Sequence, residues 1–223
     1  MDTNSLHLLR SESFEIANPE VSIEVVPDRV KVIESDDGKC HVEFFAKSES
    51  AKQLANLIDL SATGNRLTVH VRRPKGGLRQ FLEGLSNRLT VVIKLPKSST
   101  VKIKTISGDV EVSQGVKKLE VTTISGDISV LQNPSEMCTL NSISGEITAR
   151  TFSGCHYSLR SISGDITVHV APNLEIDVDG KSISGDMASE ISLSTSGESS
   201  SDESEVVVIT ANTISGDFVL ARN

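Results

Sequence analysis

Along the second half of the chain, apolar and polar positions alternate with period two, the mark of strands, and the phase breaks and resumes once per repeat. Each break carries the same short run: Ile106-Ser107-Gly108-Asp109, Ile124-Ser125-Gly126-Asp127, Ile143-Ser144-Gly145-Glu146, Ile162-Ser163-Gly164-Asp165, Ile183-Ser184-Gly185-Asp186 and Ile214-Ser215-Gly216-Asp217. Successive Ile positions are 18, 19, 19, 21 and 31 residues apart. Before each Ile stand two alternate apolar or small residues (Val101/Ile103, Leu119/Val121, Cys138/Leu140, Tyr157/Leu159, Val178/Gly180, Ile209/Ala211). After it stand two more (Val110/Val112, Ile128/Val130, Ile147/Ala149, Ile166/Val168, Met187/Ser189, Phe218/Leu220). The parity of the two sets differs, so a bend or bulge must lie between them. The reading places it just before the Ile, with Ile in, Ser out, Gly in and Asp out.

A unit of this length with two short strands cannot bury its own apolar face, whereas stacked copies bury a continuous core. The expected fold is all-β: a single-stranded parallel β-solenoid with coils of about 19 residues and equivalent residues in columns about 4.8 Å apart. The run of S/T-I-S-G-D-I-x-V repeats, after an amino-terminal half of short strands ending in Leu95-Pro96-Lys97, resembles the bacterial β-strand-repeat family labelled "putative adhesin", a domain of unknown function. The resemblance covers roughly residues 88 to 221 and implies a β-helix; it brings no catalytic residues.

The first hundred residues are less regular. Strands are expected at 14–17, 21–26, 30–33, 41–45, 67–71 and 89–95, separated by turns such as Asp36-Asp37-Gly38 and Thr63-Gly64-Asn65. Residues 50–60 read as a short amphipathic helix with Leu54, Leu57 and Ile58 on one face. Residues 1–100 are expected to form a cap and the first coils, and 101–223 the regular solenoid, in one continuous domain. A cation-rich stretch (Arg72, Arg73, Lys75, Arg79, Arg88) reads as a solvated loop or a helix packed onto the cap, with contact to an acidic partner or a membrane surface as the alternative, and the acidic serine-rich run at 194–204 as a disordered insertion.

Composition narrows the functions. A net charge of −8 opposes general nucleic-acid binding. Aromatic residues make up 3% of the chain, with one Tyr and no Trp, which leaves few stacking faces for sugars or bases. The cysteines Cys40, Cys138 and Cys155 have no metal-ligand spacing and read as free thiols, with a Cys138–Cys155 disulfide as the alternative in an oxidising compartment. The start shows no basic leader followed by an apolar run, and there are no eighteen consecutive apolar residues. The expectation is a cytoplasmic location if the chain is complete, or the cell surface if an export segment was removed.

No catalytic, cofactor or metal site is expected. The column Asp109, Asp127, Glu146, Asp165, Asp186 and Asp217 is expected to cap local backbone N–H groups, with Ca²⁺ the alternative ligand. The hydroxyls just before each Ile are expected to bond backbone at the bend or to run in a ladder with their neighbours. His156 and His169 fall within the repeats, about a coil apart by counting, and have no orienting acid. The function expected is a non-catalytic interaction or adhesion-type scaffold of bacterial origin, for an unknown protein or cell-surface polymer. The alternatives are a cytoplasmic scaffold that self-assembles end to end and a β-helical polysaccharide enzyme, the latter disfavoured because the repeated residues are spread evenly along the axis.

Overall fold

A computed structural model describes residues 6–25, 28–46, 55–71, 89–191 and 206–222. The first half contributes β1 (His7–Phe14), β2 (Glu20–Val25), β3 (Arg29–Glu34), β4 (Cys40–Ala46), β5 (Ile58–Thr63), β6 (Arg66–Val71) and β7 (Leu89–Leu95). Each repeat then adds a long strand before its Ser-Gly and a short one after it. These are β8 (Thr100–Ser107) with β9 (Asp109–Val112), β10 (Lys118–Ser125) with β11 (Ile128–Val130), and β12 (Met137–Ser144) with β13 (Ile147–Thr151). They continue as β14 (His156–Ser163) with β15 (Ile166–Val170), β16 (Glu175–Ser184) with β17 (Met187–Ser189), and β18 (Val206–Ser215) with β19 (Phe218–Arg222).

The fold is all-β, with two mostly parallel sheets. The long strands join a nine-stranded sheet, β16-β18-β14-β12-β10-β8-β2-β6-β5, and the short ones a ten-stranded sheet, β1-β4-β7-β3-β9-β11-β13-β15-β19-β17. Each repeat is thus a rung with one strand per sheet. Neighbouring repeats pair residue for residue, Leu119 with Val101 on one side and with Cys138 on the other. The core lies between the sheets. The alternate apolar positions read from the sequence fill it, with Ile103, Val121, Leu140, Leu159, Ile128, Ile147 and Ile166 all fully buried.

The stacking order departs from the chain order at both ends. β2 and β3 lie against β8 and β9, and the later strands β6 and β7 lie outside them. At the carboxy-terminal end, β18 and β19 sit between β14/β15 and β16/β17, so the sixth repeat is stacked between the fourth and the fifth. Hydrophobicity accounts for this placement. The inward residues of the sixth repeat are Val207, Ile209, Ala211, Phe218 and Leu220, all buried. Those of the fifth are Ile176, Val178, Gly180, Met187 and Ser189, a poorer apolar set that loses less by lying at an edge.

The first half differs from the sequence expectation in particulars. The first strand is His7–Phe14 rather than 14–17, and it pairs antiparallel with β4, which pairs antiparallel with β7. Residues 55 and 56 are helical, but residues 58–60, expected as the last of the helix over 50–60, open β5 (Ile58–Thr63), antiparallel to β6. Its Ile58 is buried against the sheet, so tertiary packing overrides the local helical pattern. Residues 47–54, the cation-rich stretch at 72–88 and the acidic run at 194–204 lie outside the described residues.

Candidate functional site

The repeated turn forms one long edge where the two sheets meet. Here the expected phase is corrected. The Ser or Thr before each Ile points inward: Thr105, Thr123, Ser142, Ser161 and Thr213 are all buried. The Ile itself points out, and Ile106, Ile124, Ile143, Ile162 and Ile214 are 40–47% exposed, with Ile183 at 81%. The Ser after it is exposed as well, so the parity change falls between Ile and Ser, one residue later than expected. Only the Ile changes face, and the residues after it keep the expected alternation; the assumption that Ile must be internal produces that error.

The Gly after the Ser is demanded by contact. Gly126, Gly145, Gly164, Gly185 and Gly216 have φ between +149° and +158°. A Cβ on Gly145 would lie 2.2 Å from the carbonyl oxygen of Gly126, and the same conflict recurs along the column. Backbone stacks on backbone there, and only Gly permits it.

The acidic column caps backbone, but across rungs rather than within its own turn. Asp109 Oδ1 accepts from the N–H of Asp127 (3.3 Å), Asp127 Oδ1 from Glu146 (3.0 Å), Asp165 Oδ1 from Asp217 (2.8 Å) and Asp217 Oδ1 from Asp186 (2.8 Å). The ladder misses one step: Glu146, one methylene longer, receives no bond from the Asp165 N–H. At the amino-terminal end Arg29 pairs with Asp109 at 3.4 Å and offsets the column's charge. These carboxylates are therefore engaged in holding rungs together. Among the described residues no group of three or more His, Cys, Asp or Glu side chains is placed to hold a metal ion. The buried hydroxyls of Thr105, Thr123, Ser142, Ser161 and Thr213 do not bond the backbone at the bend as expected, and only Ser182 does so, donating to the Gly216 carbonyl at 3.3 Å.

Other candidates separate. His156 lies in the long-strand sheet and His169 in the short-strand sheet, so counting along the chain misplaced them as neighbours. All three cysteines are free and buried. Burial pushes the Cys40 thiol up to about 11 and Cys155 up to about 12, and raises Cys138 as well, so all three stay protonated and unreactive at neutral pH. The long-strand sheet carries an outer groove of about 510 Å³, lined in part by Glu20, Arg66, Lys102, Lys118 and Glu120. Its charges are largely paired with each other, Lys102 with Glu120 at 2.6 Å and Arg66 with Glu20 at 3.5 Å.

One constellation escaped the sequence reading because cross-strand pairing assembles it. Ser13 pairs opposite His41 in the β1–β4 ladder, with Ser13 Oγ 2.8 Å from His41 Nδ1, and His41 Nε2 is 2.8 Å from Asp37 Oδ1. Asp37 Oδ1 also accepts from Ser35 Oγ and the Lys39 N–H, closing the β3–β4 turn. The bond from His41, then those from Lys39 and Ser35, hold the Asp37 carboxyl below the usual carboxylate range. Ser13 and Asp37 are exposed on a sheet surface, and neither lines the groove of the opposite sheet.

Comparison with known proteins agrees with the architecture. The family model described as Toastrack DUF4097 matches residues 18–154 and, in an overlapping second match, residues 100–221. Among solved structures the chain is similar to a "putative cell adhesion protein" from Clostridium sporogenes, at 9% identity and a TM-score of 0.55 over 96% of this chain and 99% of that one. It is also similar to a "putative adhesin" from Bacteroides fragilis, at 12% identity and a TM-score of 0.52 over 98% of each chain. At those identities the likeness is one of fold. No curated protein matches the sequence. Among the described residues no helix is long and apolar enough to cross a membrane.

Proposed function

The chain belongs to the Toastrack DUF4097 family, and on that premise we propose that it is a non-catalytic interaction scaffold of adhesion type whose contact surface is the turn edge. One observation carries the reading: six Ile side chains stand exposed in a single in-register column, Ile106, Ile124, Ile143, Ile162, Ile214 and Ile183. Isolated exposed apolar side chains are ordinary, whereas a continuous stripe of them marks a surface that something covers. Four of the neighbouring acids, Asp109, Asp127, Asp165 and Asp217, are engaged by the ladder.

End-to-end assembly through β16 and β17 is the competing use of the molecule. Strand β16 carries Glu175, Asp177 and Asp179 on its outer face, and charged residues along an edge discourage strand addition. Lateral contact through the Ile column is favoured on that ground.

The test compares the wild-type protein with an Ile143→Ser/Ile162→Ser variant of unchanged circular dichroism, each immobilised and exposed to protein and polysaccharide extracts of the source cells. Retention of a ligand by the wild type and its loss by the variant supports the reading. Equal retention removes the ridge as the contact surface. Separately, a fluorophosphonate probe is expected to leave Ser13 unlabelled, and labelling that His41→Ala abolishes would make the protein an enzyme.

A further inference from the structure

The Ile ridge has a property that restricts what can cover it. Its six side chains are spaced by strand pairing at about 4.8 Å, giving a ridge roughly 24 Å long. A partner that matches the ridge along its whole length must carry apolar groups at the same pitch, and a second copy of this ridge does so, each Ile meeting its own counterpart. Deepening the reading above, and resting on it, we propose that two copies of the chain pack side by side through their Ile columns, related by a twofold axis parallel to the stacking direction.

Charge selects that axis. Two residues before the Ile on the long strands, Lys104, Arg160 and Lys181 stand exposed on the first, fourth and fifth repeats. Three residues after it stand Asp109, Asp165 and Asp186 of the same repeats. Lys104 lies 3.3 Å from Glu24 and Lys181 3.7 Å from Asp179, exposed pairs weak enough to exchange, and Thr122, Asn141 and Asn212 fill this position on the other repeats; the flank before the Ile thus offers cations on three repeats, against acids on all six after it. With the twofold axis along the stack, the two chains run parallel and the cationic flank of one copy meets the acidic flank of the other. Arg160 then faces Asp165 of the second copy, and Lys181 faces its Asp186. With the axis across the stack, acid would meet acid along the whole column, an arrangement that repulsion opposes. The arrangement is isologous, so every favourable contact occurs twice.

Sedimentation equilibrium on the full chain tests this. The wild type is expected to be a dimer at about 50 µM, a concentration well above a micromolar Kd. Ile143→Lys/Ile162→Lys should be a monomer with unchanged circular dichroism and a thermal midpoint that no longer depends on concentration. Lys181→Glu should weaken association roughly tenfold, because Glu would face Asp186 twice per dimer. Lys181→Glu/Asp186→Lys should restore it; the Asp186 side chain accepts no ladder bond, and its backbone N–H, which donates to Asp217, is unaffected. A wild-type monomer overturns the second copy as occupant, and if the Ile143→Ser/Ile162→Ser variant still loses its captured ligand, the ridge belongs to a different partner. Persistence of the dimer in the Ile143→Lys/Ile162→Lys variant places the interface elsewhere. A double charge swap as weak as the single one overturns the parallel arrangement.

Discussion

The fourth and fifth repeats carry the same motif and behave differently. In the fourth, Leu159 and Ile166 are fully buried and Ile162 is 46% exposed. In the fifth, the equivalent positions are Gly180 and Met187, Met187 is 48% exposed, and Ile183 reaches 81%. Both turns have the same backbone, with φ of +154° at Gly164 and +158° at Gly185. The motif therefore sets the shape of a rung, and its place in the stack sets what is buried. The fourth repeat has a rung on each side, while the fifth has one neighbour, the sixth repeat, and forms the edge of both sheets.

That difference predicts unequal costs for equal changes. Gly145→Ala, in the middle of the stack, forces a Cβ into the Gly126 carbonyl and holds a non-Gly residue at φ +158°. Strain and overpacking together should remove about 4 kcal/mol of stability. Gly185→Ala meets the same obstacle, the Gly216 carbonyl at 2.2 Å, but the edge rung can detach alone. Its effect should appear as local opening of residues 175–189 in hydrogen exchange, with a global loss under about 1 kcal/mol. Equal global losses from urea melts of the two variants would break the comparison. Next in size, Leu159→Ala should cost about 3 kcal/mol as a cavity between two neighbours, and Val178→Ala less than about 1 kcal/mol at the half-buried edge.

A smaller effect runs the other way. Glu146→Asp shortens the one side chain that interrupts the acidic ladder, so the Asp165 N–H gains an acceptor. Stability should rise by about 1 kcal/mol, the net value of one hydrogen bond. No change in the urea midpoint would mean that the ladder follows from the turn and does not stabilise it.

The smallest effect belongs to the opposite end. Asp37, with its carboxyl held below its ordinary value by His41, Lys39 and Ser35, contributes stability that is present above the unfolded carboxylate value near ~3.9 and lost as pH falls through the folded value. Asp37→Asn should therefore lower the stability of β1 and β4 at neutral pH, and the deficit should shrink on acidification below about pH 4. A deficit independent of pH would contradict the role given to the charge.

How far the sequence foretells all this depends on which physical rule governs each feature. The inward pairs, Val101/Ile103 through Phe218/Leu220, follow from alternation alone, because a half-buried strand has a period of two. The outward Ile does not follow, since hydrophobicity assigns it to the core and only the corner geometry turns it out. The acid column was legible as a backbone cap. Its direction, from one rung to the next, depends on stacking and not on the turn. The exchange of the fifth and sixth repeats leaves one trace in the chain, the interval of 31 residues, which an insertion explains equally well. The triad of Ser13, His41 and Asp37 depends on the register of β1 against β4, which no local pattern encodes.

Paired cysteines test directly whether the sixth repeat sits between the fourth and the fifth. Thr167 faces Val219 across the β15–β19 pair, and Val219 faces Ala188 across β19–β17. Neighbouring parallel strands bring Cα atoms within the range a disulfide can bridge, whereas positions two strands apart lie beyond it. Mild oxidation of Thr167→Cys/Val219→Cys should therefore produce an intramolecular crosslink detectable by peptide mapping, and Thr167→Cys/Ala188→Cys should produce none. The reverse outcome would mean that the repeats stack in the order of the chain, and the contrast between the fourth and fifth repeats would lose its cause.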